Sequence, residues 1–85
     1  MKGQTKSGFK FELEEKRVSN YELFDLMAEV DDNTLVLPKM LSLLLGDEQK
    51  KRLMNHLRDE EGFISLEKVE TEVKDILSGN DKVKN

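Results

Sequence analysis

The chain contains no cysteine. That removes disulfides, thiolate metal ligands and cysteine nucleophiles together, and it is compatible with a reducing compartment. Tryptophan is absent, and histidine, proline and tyrosine occur once each. The single histidine, His56, excludes any metal motif built on a histidine pair. No apolar run approaches the ~20 residues of a membrane helix; the richest, residues 35–45, is interrupted by Pro38 and Lys39. The N-terminal residues lack the apolar stretch of a secretion signal, so a cytoplasmic location is expected. Gly8, Gly46, Gly62 and Gly79 stand alone, which leaves no phosphate-cradling loop. The five serines all lie outside a nucleophile-elbow pattern. These absences lead to the expectation of a protein without catalytic residues, cofactor or metal.

What remains is 85 residues, 36% hydrophobic and 38% charged. This composition supports one small core in a charge-rich shell. The net charge of −4 is a poor basis for binding phosphate backbones. It is also uneven, at +2 over residues 1–18 and −4 over residues 19–46.

The patterning predicts a mainly α fold, a small four-helix domain with an N-terminal β-hairpin. Phe9, Phe11 and Leu13 alternate with Lys10 and Glu12, the period of a half-buried strand. Lys6-Ser7-Gly8 is the turn before it, and residues 2–6 are the polar partner strand, so the hairpin spans about residues 2–14. Ser19 and Glu22 have the spacing of a capping box for a first helix, with Val18 and Leu23 at the staple positions. Leu23, Phe24, Leu26, Met27 and Val30 form its expected core face, and Asp31-Asp32-Asn33 its end. Pro38 opens a short second helix, closed by Gly46 as a left-handed residue after its last turn. A third helix is expected over residues 47–58, with Leu53, Met54 and Leu57 inward. Ser65 caps a fourth, with Leu66, Val69, Val73, Ile76 and Leu77 in one stripe and Glu70 and Lys74 as an i,i+4 pair. Gly79 is its expected stop. One domain therefore covers residues 1–79, and residues 80–85 form a flexible tail.

Three weak chemical signals resolve into structural ones. Residues 57–68 place Gly62 and Ile64 as a calcium loop would, but Leu57 and Lys68 occupy its first and last ligand positions. A turn anchored in the core by Phe63 and Ile64 is expected instead. His56 has Asp59 and Glu60 one turn on, too few ligands for a metal. Lys50-Lys51-Arg52 is the one basic cluster, and residues 38–58 can be drawn as a helix-turn-helix around it. On a helix these three side chains fan over about 200°, among Asp47, Glu48, Asp59, Glu60 and Glu61. A DNA-binding regulator is the alternative function, and nucleic acid is not the expected partner.

The informative anomaly is residues 35–45, of which eight are apolar. On a helical wheel Val36, Met40, Leu41, Leu43, Leu44 and Leu45 cover about 200°, against roughly 100° for an ordinary surface helix. Met40, Leu41, Leu44 and Leu45 are assigned to the core. Val36 and Leu43, beside Lys39, are the candidate partner-binding residues, for a client or for self-association.

Several segments in a fixed order then carry a resemblance. They are Lys6-Ser7-Gly8-Phe9, Asn20-Tyr21-Glu22-Leu23, Leu26-Met27-Ala28-Glu29-Val30, Leu37-Pro38-Lys39, Leu43-Leu44-Leu45-Gly46, residues 49–57, and Arg58-Asp59-Glu60-Glu61-Gly62 before a capped helix. Over about residues 5–78 the chain resembles the small tail assembly chaperones of long-tailed phages and prophages of Gram-positive bacteria. The resemblance implies a non-enzymatic assembly factor of the infected cell's cytoplasm. Its implied partners are the tape measure protein, which it binds while the tail tube forms, and the tail tube protein. It also implies absence from the mature virion and, in many members, a longer frameshifted form.

Overall fold

A computed structural model describes residues 1–83, with side-chain environments through Ser78. The chain opens with β1 (Lys2–Gln4) and β2 (Lys10–Glu12), antiparallel with Gly3 opposite Phe11. Gly8 turns the loop between them at φ 95°. Phe9, Phe11 and Leu13 are buried, as their alternation predicts. The Phe11 ring lies on Gly3, where an added Cβ would come within 2.6 Å of it. Gly3→Ala is therefore expected to displace a packed aromatic ring and to cost about 1–3 kcal/mol, read as a lower midpoint in urea with an unchanged slope. An unchanged midpoint would show that the ring moves aside freely.

The outer edge of β2 is closed by side chains. Gln49 accepts from the Glu12 N–H at 2.7 Å and donates to the Glu12 carbonyl at 2.7 Å. Arg52 donates to the Lys10 carbonyl at 3.3 Å. One carboxamide thus supplies both the acceptor and the donor that a third strand would present.

A single-turn helix, α1 (Glu15–Val18), follows and was not expected. Its residues show no apolar period, and one turn is too short to display one. It displaces the proposed capping box. Ser19 ends α1, its hydroxyl donating to the Glu15 carbonyl at 2.8 Å. Asn20 instead caps α2 (Tyr21–Glu29), accepting from the Glu22 N–H at 3.0 Å. On α2, Leu23 is buried and Leu26, Met27 and Val30 pack against the core. Phe24 is 63% exposed, against expectation. It lies about 100° round the helix from Leu23, outside the arc those four residues occupy.

Asn33 organises the acidic turn, its side chain accepting from the Leu35 N–H at 3.2 Å, and a 3-10 turn (Thr34–Val36) leads into α3. Helix α3 (Leu37–Leu57) contains Pro38 in its first turn and is broken at Gly46. Its two segments correspond to the expected second and third helices. Gly46 has the positive φ anticipated, 80°, but its ψ of 161° is extended rather than left-handed helical, since Asp47 already belongs to the next segment. The break has a phase logic. Continued as one straight helix, Met40, Leu41, Leu44 and Leu45 would face about 180° away from Leu53 and Leu57. Reorienting the axis at Gly46 lets both sets enter one core, and all six are buried.

The turn after α3 is built around Asp59, whose carboxylate accepts from the N–H groups of Glu61 and Phe63 at 2.9 Å each. That carboxylate and two backbone hydrogen bonds of Asp59 hold the turn; Phe63 is 70% exposed and does not anchor it, while Ile64 packs against the core. Helix α4 (Leu66–Val83) is capped by Ser65, which accepts from the Lys68 N–H at 3.3 Å. Val69, Val73 and Ile76 are buried and Leu77 packs beside them. Leu66 has the right phase but stands at the helix's first residue, beyond the end of the core, and is mostly exposed. The helix passes through Gly79 to Val83, so Gly79 is not its stop. Of the expected flexible tail, residues 84–85 lie outside the described residues.

Helix α3 is central, packing on α1, α2, α4 and β2, while α4 also packs on β1. The result is a mainly helical domain with an N-terminal hairpin, 36 × 27 × 21 Å along its principal axes.

Candidate functional site

The hairpin tip docks between α3 and α4 through polar groups. Thr5, itself buried, donates to Glu72 Oε1 at 2.8 Å, and Glu72 is only 4% exposed. The same hydroxyl accepts from the Phe9 N–H at 3.1 Å, and the Lys6 N–H donates to Asp75 at 2.6 Å. His56 Nε2 lies 3.0 Å from Ser7 Oγ and 3.2 Å from the Ser7 carbonyl oxygen. A carbonyl oxygen only accepts, so the tautomer that bonds the Ser7 carbonyl is the one protonated at Nε2, and in that tautomer Nε2 presents no lone pair to the Ser7 hydroxyl. The cluster serves as a latch for the hairpin. Among the described residues, no group of three or more His, Cys, Asp or Glu side chains is placed to hold a metal ion.

The basic cluster is dispersed. Lys50 donates to the Pro38 carbonyl at 3.1 Å and to Ser42 Oγ at 3.0 Å, spanning the Gly46 break. Arg52 lies over the Phe9 ring, 5.1 Å from its centroid, while holding Lys10. Lys51 is exposed. Two of the three cations are thus engaged in holding the fold.

Of the sequence-derived candidates, Val36 and Leu43 are half-buried and Lys39 is exposed. All three fall on the stretch from the 3-10 turn through the first segment of α3. Arg17 of α1 donates to the Leu43 carbonyl at 3.3 Å, so the unanticipated α1 stands beside this margin. Arg17 is in turn fixed by Glu14 at 2.8 Å, and that hydrogen bond, with the nearby cations, holds the Glu14 carboxyl below the usual glutamate range. The clamp is thus intact at neutral pH and is lost as pH falls through the lowered value. Among the described residues the ion pairs are those of Glu14 with Lys16 and Arg17, so the expected Glu70–Lys74 pair does not form.

Larger apolar exposure lies elsewhere. Tyr21 and Phe24, both more than half exposed, stand with ring centroids 6.1 Å apart on the outer face of α2. Leu35 is 88% exposed. Between the end of α2, the start of α3 and α4 there is a cleft of about 290 Å³. Met27, Val30, Leu37, Met40, Val73 and Leu77 line it, with Asp31, Glu70 and Lys74. Sequence reasoning missed both features. The i,i+3 spacing of Tyr21 and Phe24 was an available signal for the first. The cleft depends on how three helices meet and has no local signature.

Among the described residues, no helix is long and apolar enough to cross a membrane. Comparison of the chain with protein-family models, curated proteins and solved structures found no match.

Proposed function

We propose that this chain is a non-enzymatic assembly chaperone of phage tails, which binds the tape measure protein in the cytoplasm of the infected cell, assists tail tube formation and is left out of the virion. Over about residues 5–78 its sequence segments resemble, in order and spacing, those of the small tail assembly chaperones. The observation that carries the reading is the surplus of apolar side chain outside the core. Tyr21, Phe24, Leu35, Phe63 and Leu66 are all more than half exposed on an 85-residue chain. Such a surface on a charge-rich domain fits a protein that covers apolar helices of a client. The half-buried Val36 and Leu43, with the exposed Lys39 on the same stretch of chain, are proposed contacts for the client or for a second copy.

Co-expression with the tape measure protein tests this. The soluble yield of that protein is expected to rise severalfold, and the complex to persist in raised salt, because apolar contacts are not screened. Duplex DNA is expected not to bind at moderate salt, since Lys50 and Arg52 are engaged within the fold. Unchanged client solubility together with tight, salt-sensitive DNA binding would overturn the proposal in favour of a DNA-binding regulator.

A further inference from the structure

Among the described residues, the cleft between α2, α3 and α4 has an apolar floor and a charged lining of two carboxylates and one cation. Met27, Val30, Leu37, Met40, Val73 and Leu77 supply the floor. Asp31 and Glu70 line it as well, against the single cation Lys74. Asp32, next to Asp31, and Glu29, two residues before it, are both exposed at the end of α2. A helix C-terminus favours cations and disfavours carboxylates. The last turn of α2 has no basic residue, and none of these carboxylates has an ion-pair partner among the described residues. Negative charge is therefore concentrated where the fold's own electrostatics disfavour it, beside an apolar cleft.

The shape and lining of the cleft narrow the occupant. Its volume of about 290 Å³ is at the lower limit of small-molecule pockets. Its polar groups are charged side chains among aliphatic walls, which fits a few apolar side chains more than a polar metabolite. Among the described residues, its walls come from the three helices and the acidic turn, and neither strand of the hairpin contributes. An extended segment laid there would find no strand edge to satisfy its backbone, whereas a helix satisfies its own.

We infer that the cleft is the docking groove for one face of a basic amphipathic helix from another protein. Leucine-type side chains at i, i+3, i+4 and i+7 fill the floor, and lysines or arginines beside them meet Asp31 and Glu70. The inference rests on the client-binding reading above for the kind of protein that supplies the helix, and it defines which part of that client is held.

The test uses the full chain and two fluorescein-labelled synthetic helices of about 18 residues. They share one apolar stripe and differ in having lysine or glutamate beside it. Fluorescence anisotropy is expected to show the lysine peptide binding at least tenfold more tightly than the glutamate peptide. In the double variant Asp31→Lys/Glu70→Lys, both positions being at least partly exposed, the preference is expected to invert with the thermal midpoint held within a few degrees. Met27→Ala, in the floor, is expected to weaken both peptides severalfold. Equal binding of the two peptides, or a preference that survives the double variant, would overturn the groove. So would displacement of the peptide by self-association, seen as a concentration-dependent dimer by light scattering that the double variant abolishes. The two proposals fail separately. If client solubilisation is intact in the double variant, the chaperone reading stands and the groove falls. If the peptides behave as expected but the tape measure protein is not solubilised, the groove stands and its client is a different basic helix.

Discussion

Leu41→Glu is expected to leave the chain without a cooperative thermal transition. Leu41 is 2% exposed, on the first segment of α3, the helix on which α1, α2, α4 and β2 all pack. A carboxylate there loses its water and gains no partner, at a cost of several kcal/mol. A domain of this size has about 4–13 kcal/mol of stability in all, so most of it is consumed. Leu43→Glu, two residues on, is the control. Leu43 is half-buried, and a half-buried leucine contributes about 1 kcal/mol, so this variant keeps its helical circular dichroism and melts a few degrees lower. If both variants unfold alike, Leu43 is a core residue and cannot serve as a partner contact. If neither does, Leu41 is not enclosed by the helices that pack on α3.

The second large effect belongs to a polar pair. Thr5→Val removes the hydroxyl that donates to the buried Glu72 carboxylate and accepts from the Phe9 N–H. Hydrogen bonds to charged groups contribute about 1.5–3 kcal/mol, and the carboxylate left behind keeps its desolvation cost, so a loss of about 3 kcal/mol is expected. Glu72→Leu combined with Thr5→Val takes away both partners and restores a large part of that loss, because an apolar pair of similar shape leaves only the Phe9 N–H to satisfy. A urea-denaturation double-mutant cycle measures the coupling. Additive effects would show that the hydroxyl and the carboxylate do not interact across the hairpin tip.

That pair also marks a limit of what the sequence makes legible. Glu72 sits one position from Val73 on a charge-rich helix, and the pattern alone places it in water. Its burial follows from the hairpin tip closing over α4, a contact sixty-seven residues apart in the chain. Wherever a helix repeats its apolar residues at helical spacing, the core face is readable, as with Val69, Val73 and Ile76 or Leu53 and Leu57. Phe24 and Leu66 are misread for different reasons. Phe24 lies off the arc that α2 buries, and Leu66 lies on the arc of α4 but past the end of the core. A periodicity argument fixes direction around a helix and says little about position along it. α1 is one turn long and carries no period at all. For the candidate site, Val36, Lys39 and Leu43 are singled out because the apolar arc there is too wide for one face, and the structure leaves them half-buried or exposed. The cleft is not legible, since its walls are contributed by residues as far apart as Met27 and Leu77.

The carboxamide of Gln49 has a consequence at the level of solubility. A protein that exposes apolar side chains runs the hazard of adding copies of itself without limit, and an open strand edge is the usual place for such growth to begin. Here the edge of β2 is already occupied from within, by a side chain whose backbone is committed to α3. The other edge belongs to β1, three residues long with Lys2 at its start, a length and a charge that both discourage a further strand. On the proposed reading, contact with a partner then falls to helical surfaces, where side chain must match side chain, and one of the two strand edges, where any extended chain would fit, is already filled.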